Sequence, residues 1–124
     1  MRVYIAGPIS KGPLERNIRR AFDAANILMM NGFHPYVPHF CCFMDITHPH
    51  PYERWMTLGF AFISTCEAVF RLDGESTGAD RECDFAIAIG IPVFNSIESL
   101  IDYRDRNEKV RKLAPDVQRV EPAS

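Results

Sequence analysis

The chain has 124 residues, 47% of them hydrophobic and 24% charged, with a net charge of −2. That composition fits one soluble globular domain with a core of ordinary size. The near-neutral charge gives no basic footprint for a nucleic-acid polymer, although a small anion held by backbone N–H groups needs no such field.

The β-branched and aromatic run 2–6 ends at Gly7-Pro8 and predicts a first strand followed by a loop. Over 13–30, Leu14, Ile18, Ala21, Phe22, Ala25, Leu28 and Met29 fall at helical spacing, with Arg16, Arg19, Arg20 and Asp23 mostly on the other side. Asn31-Gly32 caps that helix. A second short strand over 33–37 runs into Pro38. Residues 38–51, with three prolines and three histidines, read as a long irregular loop of the functional or mobile kind. A second helix is expected over 52–65, carrying Trp55, Leu58, Phe62 and Ile63. A third strand over 67–72 precedes a Gly- and Ser-containing loop and a third helix over 77–89. After Gly90 comes a fourth strand over 92–94, and Ser96 opens a last helix through about Arg111. The domain thus spans 1–113, and 114–124, with two prolines and few apolar groups, is expected to be a tail or an oligomer arm.

Strands alternating with helices predict an α/β fold, a mostly parallel sheet of four or five strands with helices on both faces. Ligands of such folds sit outside the carboxyl ends of the strands. Three loops share that edge here: Gly7-Pro8-Ile9-Ser10, Pro38-His39-Phe40 and the stretch 73–78. The last is the most informative. A strand, a loop and a helix starting near Thr77 aim the free N–H groups of the first helical turn at whatever occupies the loop, which makes an anion site. Glu82 falls within the first two turns, so a carboxylate stands beside that site. Anion cradle and carboxylate together point to chemistry on a nucleotide or a sugar phosphate.

Cys41, Cys42, Cys66 and Cys83 match no zinc or Cys-x-x-Cys spacing and read as reduced thiols. His39, Cys41, Cys42, His48 and His50 lie close in sequence but lack paired ligand spacing and are interrupted by Pro49 and Pro51, so no metal and no cofactor is expected. No apolar run reaches membrane-spanning length, and Met1-Arg2-Val3-Tyr4 reads as a strand and not as a signal peptide. A cytoplasmic protein without membrane contact is the expectation.

The segments Tyr4-Ile5-Ala6-Gly7-Pro8-Ile9-Ser10, Trp55, Cys66-Glu67-Ala68-Val69, Gly74-Glu75-Ser76-Thr77-Gly78-Ala79-Asp80-Arg81-Glu82, Ala86 and Gly90-Ile91-Pro92-Val93 resemble the nucleoside 2-deoxyribosyltransferase superfamily, in particular its small bacterial and phage branch. The resemblance covers roughly residues 2–95. It implies a flavodoxin-like, Rossmann-like three-layer fold, a homodimer or higher homo-oligomer, and cleavage or exchange of an N-glycosidic bond in a nucleoside or nucleotide. It implies that Glu82 is the nucleophile on the anomeric carbon, with Tyr4 near it and Gly7 and Ile9 lining the same pocket. Ser76 stands where relatives that hydrolyse nucleoside 5′-monophosphates carry a phosphate-contacting serine, whereas nucleoside transferases tend to carry an Asp. Hydrolysis of a (deoxy)nucleoside 5′-monophosphate is therefore the first reading. Base exchange and a non-catalytic nucleotide-binding or sensing module are the alternatives, and a phosphoribohydrolase, whose Pro-Gly-Gly-x-Gly-Thr signature is missing, ranks last. One departure stands out: the family often has an Asp about seven residues before the position of Cys66, and here that region is Leu58-Gly59-Phe60.

The residues themselves leave some roles open. Ser76 suits a phosphate contact, an N-cap, or both. Gly74, Gly78 and Ala79 allow close backbone approach or only a tight turn. Asp73 suits a sugar hydroxyl or a turn before Gly74. Tyr4 suits a hydrogen bond to Glu82 or simple strand packing. His39 suits a base contact or proton transfer, or an exposed loop position. Lys11 reads as a surface lysine, and Trp55, Phe60 and Phe62 as packing residues.

Overall fold

In the computed structural model, residues 1–113 are described; the expected tail or arm, 114–124, lies outside the described residues. Four strands, β1 (Arg2–Ala6), β2 (His34–Tyr36), β3 (Ala68–Arg71) and β4 (Val93–Phe94), form one sheet in the order β2-β1-β3-β4. Every pairing is parallel. Five helices connect or flank them: α1 (Leu14–Met30), α2 (Cys41–Thr47), α3 (Tyr52–Ile63), α4 (Thr77–Ala88) and α5 (Ile97–Leu113). One core lies between the sheet and α1 with α5, around Val3, Ile5, Leu28, Phe33 and Leu100. The other lies between the sheet and α3 with α4, around Tyr4, Ala6, Ile63, Val69 and Ala86. This is the three-layer α/β fold, flavodoxin-like, that the alternation predicts.

Alternate residues of the central strand β1 serve the two cores: Val3 and Ile5 face one, Tyr4 and Ala6 the other. All four are completely buried. The connections from β1 and β3 leave to opposite faces, so the carboxyl ends of these two strands form the switch point where such sheets bind ligands.

Three expectations are corrected. Of residues 38–51 only 48–51 are irregular: Pro38–Phe40 is a 3-10 turn and α2 follows. Nothing from Cys41 to Thr47 breaks a helix, and the prolines lie outside it. Strand β2 covers three residues of the expected five, because Phe33 N–H is taken by Leu28 C=O at 3.0 Å to close α1, and Pro38 opens the 3-10 turn. In α1 the buried stripe is Asn17, Ala21, Ala24, Ala25 and Leu28, while Leu14 and Met29 are exposed. Small alanines let the helix lie close on the sheet, which turns the bulkier flank outward.

Leu28 is fully buried and Met29 beside it is 65% exposed. Leu28→Ala is expected to cost about 2–5 kcal/mol through lost burial and a residual cavity, and Met29→Ala within about 0.5 kcal/mol. Urea denaturation of both variants measures the difference.

Candidate active site

The β3–α4 loop is built to stand still. Gly74 has φ +117°, open to glycine at little cost, and a Cβ there would lie 2.9 Å from Pro8 Cγ. The loops after β1 and β3 thus touch. Arg71 donates to the carbonyls of Leu72 and Gly74 and to the Asp80 carboxylate. Arg20, from α1, donates to the Asp73 carbonyl at 2.9 Å. Asn17 Nδ2 donates to the carbonyls of Ile9 and Lys11 at 3.1 and 2.7 Å, which fixes the β1–α1 loop. Two guanidinium groups therefore hold the 71–74 backbone and add positive charge beside it.

Ser76 is the N-cap of α4, its hydroxyl accepting from Ala79 N–H at 3.1 Å. The N–H groups of Thr77 and Gly78 belong to the first turn, where the helix offers no carbonyl to accept them. Asp73 and Glu75 side chains point to solvent, and Lys11 pairs with Glu75 at 3.7 Å on the surface.

Glu82 comes next on the inner side of α4. It is 9% exposed, and its Oε2 accepts a hydrogen bond from the hydroxyl of Tyr4, a fully buried residue of β1. The other oxygen, Oε1, makes no hydrogen bond with the described residues. It is not among the side-chain atoms sealed away without a partner; His39 Nδ1 alone has that status among the described residues. Burial pushes the Glu82 carboxyl up from its ordinary 4.5 to about 7, against the opposing pull of the Tyr4 hydrogen bond and the Arg71 charge. Burial, then Glu82 itself, pushes the Tyr4 phenol far above its usual range, so it stays a donor.

Tyr36 and Cys41 join this neighbourhood. Tyr36 pairs with Tyr4 in register, its ring 5.5 Å from that of Tyr4 and 4.3 Å from that of Phe62. Burial, with Cys41 beside it, pushes the Tyr36 phenol up to about 12, and the Glu82 charge acts in the same direction. Burial also raises the Cys41 thiol, with Glu82 contributing.

His39 is placed differently from either expectation. It is fully buried, with Nε2 3.1 Å from the Pro8 carbonyl and Nδ1 without a partner. With Nε2–H donating to Pro8, His39 is a neutral latch between two loops, and burial holds its pKa below the ordinary 6.5. Its recorded bond is to Pro8, not to Glu82. Gly7 and Pro8 are buried, Ile9 is half-buried and Ser10 exposed. All four cysteines are unpaired, and no three His, Cys, Asp or Glu side chains among the described residues converge on a metal position.

Sequence did not single out Asn17 or Tyr36, and it read Arg20 only as part of the polar side of α1 and Cys41 only as a reduced thiol. Asn17 left a signal, as the one polar member of the stripe 17-21-24-25-28. Arg20 left none: it starts on the flank and reaches the loop along its aliphatic stem. A cleft of about 500 Å³ opens along the ends of β3 and β4, lined in part by Arg71, Asp80, Cys83 and Asn95; Glu82 is not in its wall. Among the described residues no helix is long and apolar enough to cross a membrane.

Fold and site together define an α/β protein with a buried Tyr–carboxylate pair between β1 and α4. Residues 1–95 match the family described as "Domain of unknown function (DUF4406)", and the chain belongs to that family. Among solved structures it shares its fold with a 2-deoxyribosyltransferase from the psychrotolerant bacterium Bacillus psychrosaccharolyticus, at 20% sequence identity and a TM-score of 0.53. That similarity covers 75% of this chain and 69% of the other. No curated protein matches the chain.

Glu82→Gln tests the burial of the carboxyl. Because the folded pKa lies above the unfolded one, the folded state binds the extra proton, and the stability this gives is lost as pH rises from about 4.5 to about 7. The variant is therefore expected to gain on wild type by on the order of 2–3 kcal/mol between pH 4 and pH 8, at roughly 1.4 kcal/mol per pKa unit. Denaturation midpoints at the two pH values measure it.

Proposed function

We propose that this protein hydrolyses the N-glycosidic bond of a (deoxy)nucleoside 5′-monophosphate, with Glu82 as the nucleophile. The observation that carries this reading is the Glu82 carboxyl itself. On the second turn of α4, one oxygen is fixed by Tyr4 and the other makes no hydrogen bond among the described residues. Glu82 Oε1 attacks the anomeric carbon; the C–N bond breaks with its electron pair going to the base, which takes a proton from solvent. Water then adds to the anomeric carbon of the glycosyl ester, and Glu82 leaves as carboxylate, giving base and sugar 5-phosphate. Tyr4 keeps Oε2 in place and stabilises the carboxylate whenever it carries charge.

The phosphate sits at the first turn of α4, beside Ser76 and on the N–H groups of Thr77 and Gly78, the Ala79 N–H being held by the Ser76 cap. The charges of Arg20 and Arg71 assist through the loop they hold. Residues Gly7 to Ser10 line the sugar side, with Gly74 beneath them and Asp73 at the rim. His39 acts by latching Pro8, and needs neither metal nor cofactor to do so. The protein works in the cytoplasm as a homodimer or larger homo-oligomer. The exposed Leu58 and Phe62 of α3 and Ile87 of α4 support self-association.

Two specific observations favour other readings. The printed activity of the structural relative, a 2-deoxyribosyltransferase, favours transfer to a second base. The burial of Glu82 outside the open cleft favours a binding module. Incubation with ribo- and deoxyribonucleoside 5′-monophosphates, with chromatography for free base, separates them. Base release by wild type and its loss, by roughly a thousandfold or more, in Glu82→Ala is the expected result. Because the ionised form attacks, kcat/KM is expected to rise with pH and level off above about 7. Release only with an acceptor base present would assign the transferase, and nucleotide-raised melting temperature with no release would assign the module.

A further inference from the structure

Gly59 lies in the interior of the twelve-residue helix α3 and is buried there. Its φ is not positive, and glycine is the poorest helix former after proline, so its presence needs another cause. A Cβ at this position would stand 2.8 Å from the Tyr4 hydroxyl and 2.9 Å from Glu82 Oε2. Both distances are shorter than side chains tolerate. Neither neighbour is the loose end of a surface side chain, because both are buried and bonded to each other.

The helix cannot lift away cheaply either. Glu53 holds Arg81 of α4 through two bonds, at 2.7 and 3.0 Å, and Phe60 stacks on Phe85 at 4.6 Å. At the N-terminal end of α3 the Tyr52 hydroxyl comes within 3.0 Å of where a Gly78 Cβ would be. Two glycines, one on each helix, thus permit the same close α3–α4 approach, and at Gly59 that approach ends on the Tyr4–Glu82 bond.

We propose that Gly59 is a positioning residue: the bare α3 backbone closes over Tyr4 Oη and Glu82 Oε2, and so leaves Oε1 as the only carboxylate oxygen a ligand can meet. Its catalytic consequence rests on the proposed function; its structural content does not. The same closeness leaves no room for a side chain at position 59, so proton transfer to a leaving base is not assisted from that position.

A double-mutant cycle of Gly59→Ala and Tyr4→Phe tests it, read by melting temperature and by base release from a deoxynucleoside 5′-monophosphate. Gly59→Ala is expected to lower kcat by at least tenfold with KM changed less than about threefold, and to lower the melting temperature. In the Tyr4→Phe background, where the hydroxyl is gone and the carboxyl can yield, both losses are expected to shrink to less than half. Equal losses in the two backgrounds, or a Gly59→Ala protein with unchanged melting temperature and kcat, would overturn the proposal. Should wild type release no base, the proposed function falls while the melting cycle still decides the role of Gly59. Should Gly59→Ala fail to fold, a folded double variant supports the proposal and an unfolded one overturns it.

Discussion

A carboxyl group removed from water must be protonated, paired or hydrogen-bonded, and Glu82 meets that constraint with one donor, the hydroxyl of Tyr4. The constraint is mutual, since a fully buried phenol in a central strand also needs a partner. The remaining architecture supports this contact. Parallel pairing on both sides fixes β1, so Tyr4 has no freedom along the strand. The Ser76 cap fixes where α4 begins, and hence which of its residues faces β1. Helix α3, clasped to α4 by Glu53 and Arg81, covers the bond.

That arrangement costs stability and, under the proposed function, serves reactivity. Burial raises the Glu82 carboxyl to about 7, so at neutral pH both protonation states are populated. An anionic form that is poorly solvated, held at one oxygen and free at the other, is a better nucleophile than a solvated surface glutamate. Its desolvation costs the fold, and the cost is borne at the site instead of being spread through the core, in keeping with perturbed carboxyls marking chemistry. Under the proposed function, the start of α4 and the hydrogen-bonded 71–74 loop supply what a carboxylate alone lacks, a fixed place for a phosphate.

Much of this was legible in the chain. Short β-branched or aromatic runs and helical runs separated by Gly7-Pro8, Gly32 and Gly90 carry the layer order, and Ser76 ahead of Thr77 announces the cap of α4. The pairing of Glu82 with Tyr4, 78 residues apart, was legible only as one of two roles for Tyr4, because nothing local distinguishes a bonded tyrosine from a packed one. Helix α2 was hidden by the prolines around it. His39 looked like a loop residue because the carbonyl it bonds, that of Pro8, lies 31 positions away. Gly59 shows the same limit: a missing carboxylate is visible in sequence, whereas the reason no side chain fits is a contact among three separate elements.

The central claim is that Glu82 bonds covalently to a substrate sugar, and trapping that bond tests it most directly. Protein quenched in acid during turnover of a deoxynucleoside 5′-monophosphate would be digested and its peptides weighed by mass spectrometry. The account predicts a deoxyribose-phosphate adduct on the peptide containing Glu82, present in wild type and missing in Glu82→Gln. An adduct on another residue, or base release with no adduct under conditions that preserve glycosyl esters, would contradict it.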